Sequence, residues 1–90
     1  MTRAHVVIDG RVQGVGFRYF TRDVARRQKL HGWVKNRSDG CVEAVLEGSK
    51  RDVSIAVASC YKGPPGSLVT NVKLDWELYT GEFQTFAITF

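Results

Sequence analysis

Residues 10–22 read GRVQGVGFRYFTR. Gly10, Gly14 and Gly16 fall within seven positions, and Arg18 follows two residues after the last. Glycine loses more backbone freedom on folding than any other residue, so such a cluster is costly to keep. What it offers is geometric. Without Cβ atoms, successive N–H groups can turn toward one point and a ligand can approach the backbone closely. If a helix starts here, its N-terminus adds unpaired N–H groups and the positive end of the helix dipole. Gln13, Gly14, Val15, Gly16 and Phe17 then form a nest of donors whose natural guest is phosphate or another tetrahedral anion. Arg18, in the first helical turn, can add two charge-assisted hydrogen bonds to the same anion. A cation is mildly unfavourable at a helix N-terminus, so an arginine fits there best with an anion between it and the dipole. The competing reading is a tight strand-to-helix turn that needs glycine only for its angles.

Two better-known phosphate motifs do not fit. A Walker A loop needs Lys-Ser/Thr after its last glycine, and Phe17 and Arg18 stand there. The dinucleotide fingerprint needs a third small residue where Tyr19 stands. A second candidate, Asn36, closes the run WVKN and precedes RSDG. By alternation it shares a strand face with Val34. It either begins the hairpin turn or faces the same ligand as the glycine loop.

These residues need elements to position them. HVVIDGRV is rich in β-branched residues and reads as a strand. In GFRYFTRDVARRQKL, Phe17, Phe20, Thr21, Val24, Ala25 and Gln28 recur at the helical period with arginines on the other face, and Gly32 marks the helix end. WVKNR and CVEAVLEG are strands joined by the turn SDG. Val42, Ala44 and Leu46 take one face of the second, Glu43 and Glu47 the other. SKRDVSIAVASCYKG is a second helix capped by Ser49, with a stripe of Val53, Ala56, Val57, Cys60 and Tyr61, stopped by Gly63. Val72, Leu74, Trp76 and Leu78 share a face in the next strand, and Phe86, Ile88 and Phe90 in the last. The order β-α-β-β-α-β plus an added C-terminal strand predicts a ferredoxin-like α/β (α+β) sandwich. Its sheet is mainly antiparallel, with two helices on one face. The first two strands then run parallel, so the glycine loop and Asn36 lie at the same sheet edge.

Ninety residues predict one domain, 1–90. No apolar run is long enough for a membrane span, and Asp9 interrupts the short N-terminal one, so no signal peptide is expected and the location is read as cytoplasmic. Cys41 and Cys60 form no CxxC or metal pattern and are expected to be free thiols. Neither lies in the glycine loop, where a thiolate phosphatase needs its nucleophile. His5 and His31 start their strands at the end away from the loop. No metal or cofactor is expected. The net charge of +4 suits an anionic ligand or merely a solvated basic face.

GRVQGVGFRYFT and GWVKNRSDGCVEAVLEG resemble the two signature stretches of the acylphosphatase family. GPPGSLV, the strand ending in Trp76 and the terminal FAITF resemble it too, so the resemblance covers nearly the whole chain. It implies hydrolysis of carboxyl–phosphate anhydrides, with the loop from Gln13 to Arg18 binding the phosphate. It implies that Arg18 is the essential arginine and that Asn36 orients the attacking water. The expected partner is a small-molecule acyl phosphate, with inorganic phosphate or sulfate as inhibitor; no nucleic acid or membrane partner is expected, and monomer is the default oligomeric state.

Two alternatives stand beside this reading. An RNA-binding module of the same strand-helix order would stack bases on central-strand aromatics, but CVEAVLEG has none. A non-catalytic acylphosphatase-like domain resembles the N-terminus of hydrogenase-maturation carbamoyltransferases. The cysteine-rich zinc-binding segments that follow it there are not in this sequence.

The chemistry accounts for the short list of groups. A carboxylate leaving group has a conjugate acid with a pKa of about 4, so it departs unprotonated and needs no general acid. We therefore expect acyl phosphates to be hydrolysed, phosphate monoesters to be left nearly untouched, and EDTA to change neither rate. Phosphate release from both substrate types, with and without chelator, measures this. Equal turnover of the two would contradict it.

Overall fold

In the computed structural model, which describes residues 1–90, seven elements follow the expected order. They are β1 (Thr2–Arg11), α1 (Phe17–Arg27), β2 (His31–Asn36), β3 (Val42–Gly48), α2 (Lys50–Lys62), β4 (Leu68–Glu77) and β5 (Phe86–Ile88). The sheet order is β4-β1-β3-β2-β5. All its pairings are antiparallel except that between β2 and β5. This is the ferredoxin-like α+β sandwich.

Strand alternation decides which face is covered. Ala4, Val6 and Ile8 of β1, Val34 of β2, and Val42, Ala44 and Leu46 of β3 have no exposed surface. Onto this face α1 lays Phe17, Thr21, Val24 and Ala25, and α2 lays Val53, Ala56, Val57 and Cys60. Burial of each large aliphatic side chain contributes about 1.5–3 kcal/mol. The one polar member, Thr21, donates its hydroxyl to the Phe17 carbonyl at 2.9 Å. Ser49 caps α2 by accepting the Asp52 N–H at 3.1 Å.

Several expectations are corrected. Gly32 does not end α1; it lies inside β2 opposite Leu46. A Cβ there would collide with the Val45 carbonyl oxygen of β3, and its φ of 143° is one that other residues rarely adopt. Glycine is present because the two backbones approach closely. The helix instead ends through Lys29, which takes the left-handed conformation at φ 58°. The N–H groups of Leu30 and Lys29 then return to the carbonyls of Ala25 and Arg26, closing the last turn.

Four predicted apolar positions lie outside the core. Tyr61, Trp76, Leu78 and Phe90 are exposed, the last two by 90 % and 98 %. Leu78 and Phe90 continue an alternation beyond the ends of their strands, where no helix lies above them. Glu47 departs the other way. It is on the predicted face but only 2 % exposed. The segment joining β4 to β5 covers it, and its carboxylate accepts hydrogen bonds from the N–H and hydroxyl of Thr80 and the N–H of Gly81.

The two left-handed positions predict opposite effects. Gly32→Ala should destabilise by about 1–3 kcal/mol or more through overpacking of backbone. Lys29→Gly should stabilise by up to about 1 kcal/mol by relieving a left-handed lysine. Urea midpoints at unchanged slope measure both. A Gly32→Ala variant as stable as the parent would refute the close-approach explanation.

Candidate active site

The predicted loop joins β1 to α1. Gly14 and Gly16 have φ of 74° and 78°, and neither has any atom in the space a Cβ would take. Here the positive φ, rather than crowding, calls for glycine. Gly16 is the N-cap of α1 and offers no side-chain cap, and the first turn contains no acidic residue. The N–H groups of Gln13, Gly14, Val15 and Gly16 donate to no protein acceptor, and those of Phe17, Arg18 and Tyr19 open the helix without an intrahelical partner. The first bond of the helix is Phe20 N–H to the Gly16 carbonyl, at 3.0 Å. The loop is thus a run of unengaged donors at the positive end of a helix dipole.

Arg18 lies in that first turn. Arg3, Arg22 and Arg37 all pair with carboxylates, and Arg26 donates to the Phe86 carbonyl. Arg18 forms no ion pair; its guanidinium carbon lies 5.7 Å from the centre of the Phe90 ring.

Asn36 reaches the same edge through strand register. It pairs with Val42 of β3, and Val42 pairs with Ile8 of β1. Side chains paired in this way share a face, and Ile8, Val42 and Val34 are all in the core under the helices. Asn36 therefore points to the helix side, two strands over from where β1 enters the loop. Its Oδ1 is buried and has no hydrogen-bond partner. A buried acceptor without a donor is costly, by about 1–3 kcal/mol.

Gln13 ties the two parts together. Its side-chain amide donates to the carbonyls of Arg37 at 2.7 Å and Cys41 at 2.9 Å, both in the β2–β3 turn. The sequence marked Gln13 only as a backbone donor. A long amide side chain between two glycines was the available signal, but its target is set by tertiary structure. Cys41 is held in the same turn by donating its N–H to Asp39 at 3.1 Å.

The cysteines are free. Cys41 donates its thiol to Asp9 at 2.7 Å. That bond, followed by burial, pushes its pKa up to about 12. Cys60 belongs to the core stripe of α2, and burial pushes it up to about 12 as well. Neither thiol is poised to be a thiolate near neutral pH. His5 is engaged with Glu43 at 2.6 Å, and His31 begins β2 at the far edge.

A family model described as acylphosphatase matches residues 4–88. The chain belongs to the acylphosphatase family. An acylphosphatase of Pelotomaculum thermopropionicum is 51 % identical over 88 residues, covering 98 % of this chain and 96 % of the relative. The crystal structure of acylphosphatase from Bacillus subtilis superposes with a TM-score of 0.96 at 40 % identity over the whole of both chains. That of an acylphosphatase from Coxiella burnetii gives 0.91 at 36 % identity over 98 % and 92 %. The protein is an enzyme that hydrolyses acyl phosphates, and neither the RNA-binding nor the non-catalytic reading is favoured.

The tether predicts a graded response at Gln13. Both of its acceptor carbonyls keep a second donor, Gly40 N–H on Arg37 and Arg37 N–H on Cys41. Gln13→Ala should therefore cost only about 1–2 kcal/mol of stability. Gln13→Glu has no donors, faces two carbonyl oxygens and adds negative charge beside the loop. It should reduce kcat/KM for an acyl phosphate more than Gln13→Ala does. Steady-state kinetics with a urea titration test this; equal kcat/KM in the two variants would argue against the tether.

Proposed function

We propose that the N–H groups of Gln13, Gly14, Val15, Gly16 and Phe17, with the Arg18 guanidinium, hold the phosphoryl group of the acyl phosphate, and that Asn36 orients the attacking water. The observation that carries the reading is the buried, unpartnered Oδ1 of Asn36 at the sheet edge that also carries the loop. An amide oxygen accepts one water hydrogen, which directs an oxygen lone pair of that water toward phosphorus. The water oxygen bonds to phosphorus as the bond between phosphorus and the acyl oxygen breaks. The electron pair leaves on the carboxylate, and a phosphate oxygen takes the proton. Charge spreads over the equatorial oxygens in the transition state, where the loop amides and Arg18 are already aligned to receive it. Catalysis by positioning and preorganised dipoles asks for no metal and no covalent phosphoenzyme.

The same reading extends to the setting. Two unpaired cysteines suit a reducing, cytoplasmic location. Both helices direct their apolar stripes, Tyr61 excepted, into their own sheet, which supports a monomer of one domain, 1–90. Inorganic phosphate and sulfate, having the shape of the bound group, act as competitive inhibitors.

Removing the two side chains should separate binding from chemistry. Arg18→Ala should weaken inhibition by phosphate and also lower kcat, and Arg18→Lys should not restore either, because one ammonium cannot make a two-pronged contact. A folded Asn36→Ala variant should lose about 10²–10³ in kcat while phosphate inhibition stays near its starting value. Full kcat in that variant would remove Asn36 from the mechanism.

A further inference from the structure

The sheet ends in two unequal edges. β5 is three residues long, whereas β4 runs for ten, from Leu68 to Glu77, without a proline. A long edge strand presents a row of unpaired backbone groups to any chain that can match it. Strand register fixes which groups these are. The Gly32 N–H donates to the Thr85 carbonyl and the Thr89 N–H to the Val34 carbonyl, so Gly32 and Val34 turn their backbone groups toward β5. Backbone direction alternates along a strand. Trp33 and Lys35 therefore bond to Val45 and Glu43 of β3, and Ala44 and Leu46 bond to Val6 and Ala4 of β1. His5 and Val7 in turn bond to Asp75 and Lys73 of β4. Val72, Leu74 and Trp76 are left with N–H and C=O groups pointing away from the sheet.

We propose that this edge pairs with the β4 edge of a second copy of the chain, antiparallel, with each Leu74 facing its own equivalent. A twofold axis through Leu74 makes the contact isologous, joins the two sheets into one and uses up both long edges. Charge selects the register. It sets Lys73 opposite the second copy's Asp75, twice over, and Val72 opposite its Trp76. The neighbouring registers, centred on Lys73 or on Asp75, would set two lysines or two carboxylates face to face, which is destabilising.

The side chains match as well. Val72, Leu74 and Trp76 pair with Ile8, Val6 and Ala4 and so lie on the helix side of the sheet. Beside Val72 a recess of about 310 Å³ opens between β4 and Tyr61 of α2. Trp76 is 42 % exposed and Tyr61 54 %. In the paired arrangement each Trp76 lies over the other copy's Val72, at the mouth of that recess, and covers its Tyr61. One contact thus accounts for the open recess and for two aromatic side chains that periodicity placed in the core. A single strand pair with two tryptophans belongs to the small, transient class of interfaces, with a dissociation constant on the order of 10⁻⁴ M. The dilute enzyme therefore stays the single chain proposed above.

Sedimentation equilibrium, from about tenfold below that concentration to about tenfold above it, tests the pairing. The mean mass should climb from one chain toward two and go no further. Lys73→Asp sets two acidic pairs face to face and Asp75→Lys two basic ones, so each should weaken association by about tenfold or more. The double variant Lys73→Asp/Asp75→Lys restores opposite charges and should return to within about threefold of the parent. Trp76→Ala should weaken association by about tenfold through lost aromatic contact. None of these residues belongs to the loop or touches Arg18 or Asn36, so kcat in dilute solution should stay at the parent value and reports that each variant is folded. A mass that stays at one chain throughout would leave the edge to an extended segment of some other protein and overturn the proposal. Single variants that associate like the parent, a folded double variant that fails to recover, or a mass that passes beyond two chains would overturn it equally.

Discussion

A run of backbone N–H groups from Gln13 to Tyr19 that find no acceptor inside the protein is the constraint around which the rest is arranged. Buried or sterically enclosed, such donors would be costly; held at a surface, they form a fixed positive field. The loop reaches this state through two left-handed glycines and an N-cap that contributes no side-chain acceptor. Arg18 then adds a full charge where the helix dipole already disfavours one. No carboxylate of the protein offsets that charge. A bound anion relieves both terms at once, and in a phosphoryl-transfer reaction the relief is greatest when the most charge sits on the equatorial oxygens.

Preorganised dipoles are useful only if they stay still. Three features fix the loop relative to Asn36. The register row Ile8–Val42–Asn36 sets the spacing across the sheet. Phe17, fully buried in the core, anchors the start of α1. The Gln13 amide spans from the loop to the β2–β3 turn. At the opposite edge, the buried Glu47 carboxylate binds Thr80 and Gly81 and lies 3.6 Å from Arg3. This holds the connection that delivers β5 beside β2. In the proposed mechanism the hydrolysis of acyl phosphates depends on a rigid sandwich with few reactive groups, because the leaving carboxylate needs no proton.

The elements, the covered face and the loop were legible from the sequence because each has a local cause. Val6 and Ile8, or Val53, Ala56 and Val57, declare their faces by period alone. Gly14 and Gly16 declare a turn that opens on unpaired donors. What was not legible depends on distant contacts. Gly32 looked like a helix stop, because nothing local reveals that the Val45 carbonyl crowds it. Glu47 looked solvent-facing, because alternation gives its face but not the segment that later covers that face. Leu78 and Phe90 continued their patterns past the point where strand pairing ceases. The direction of the Gln13 side chain arises only once the β2–β3 turn is brought beside the loop.

Amide chemical shifts offer the most direct test of the central claim, that the free donors of the loop receive the phosphoryl group. A ¹H–¹⁵N correlation spectrum titrated with inorganic phosphate should show its largest displacements at the backbone amides of Gln13 through Tyr19. The Asn36 side-chain amide should shift less, and residues of α2 should stay in place. Saturating displacements concentrated elsewhere on the surface, with the Gln13–Tyr19 amides unmoved, would contradict the account.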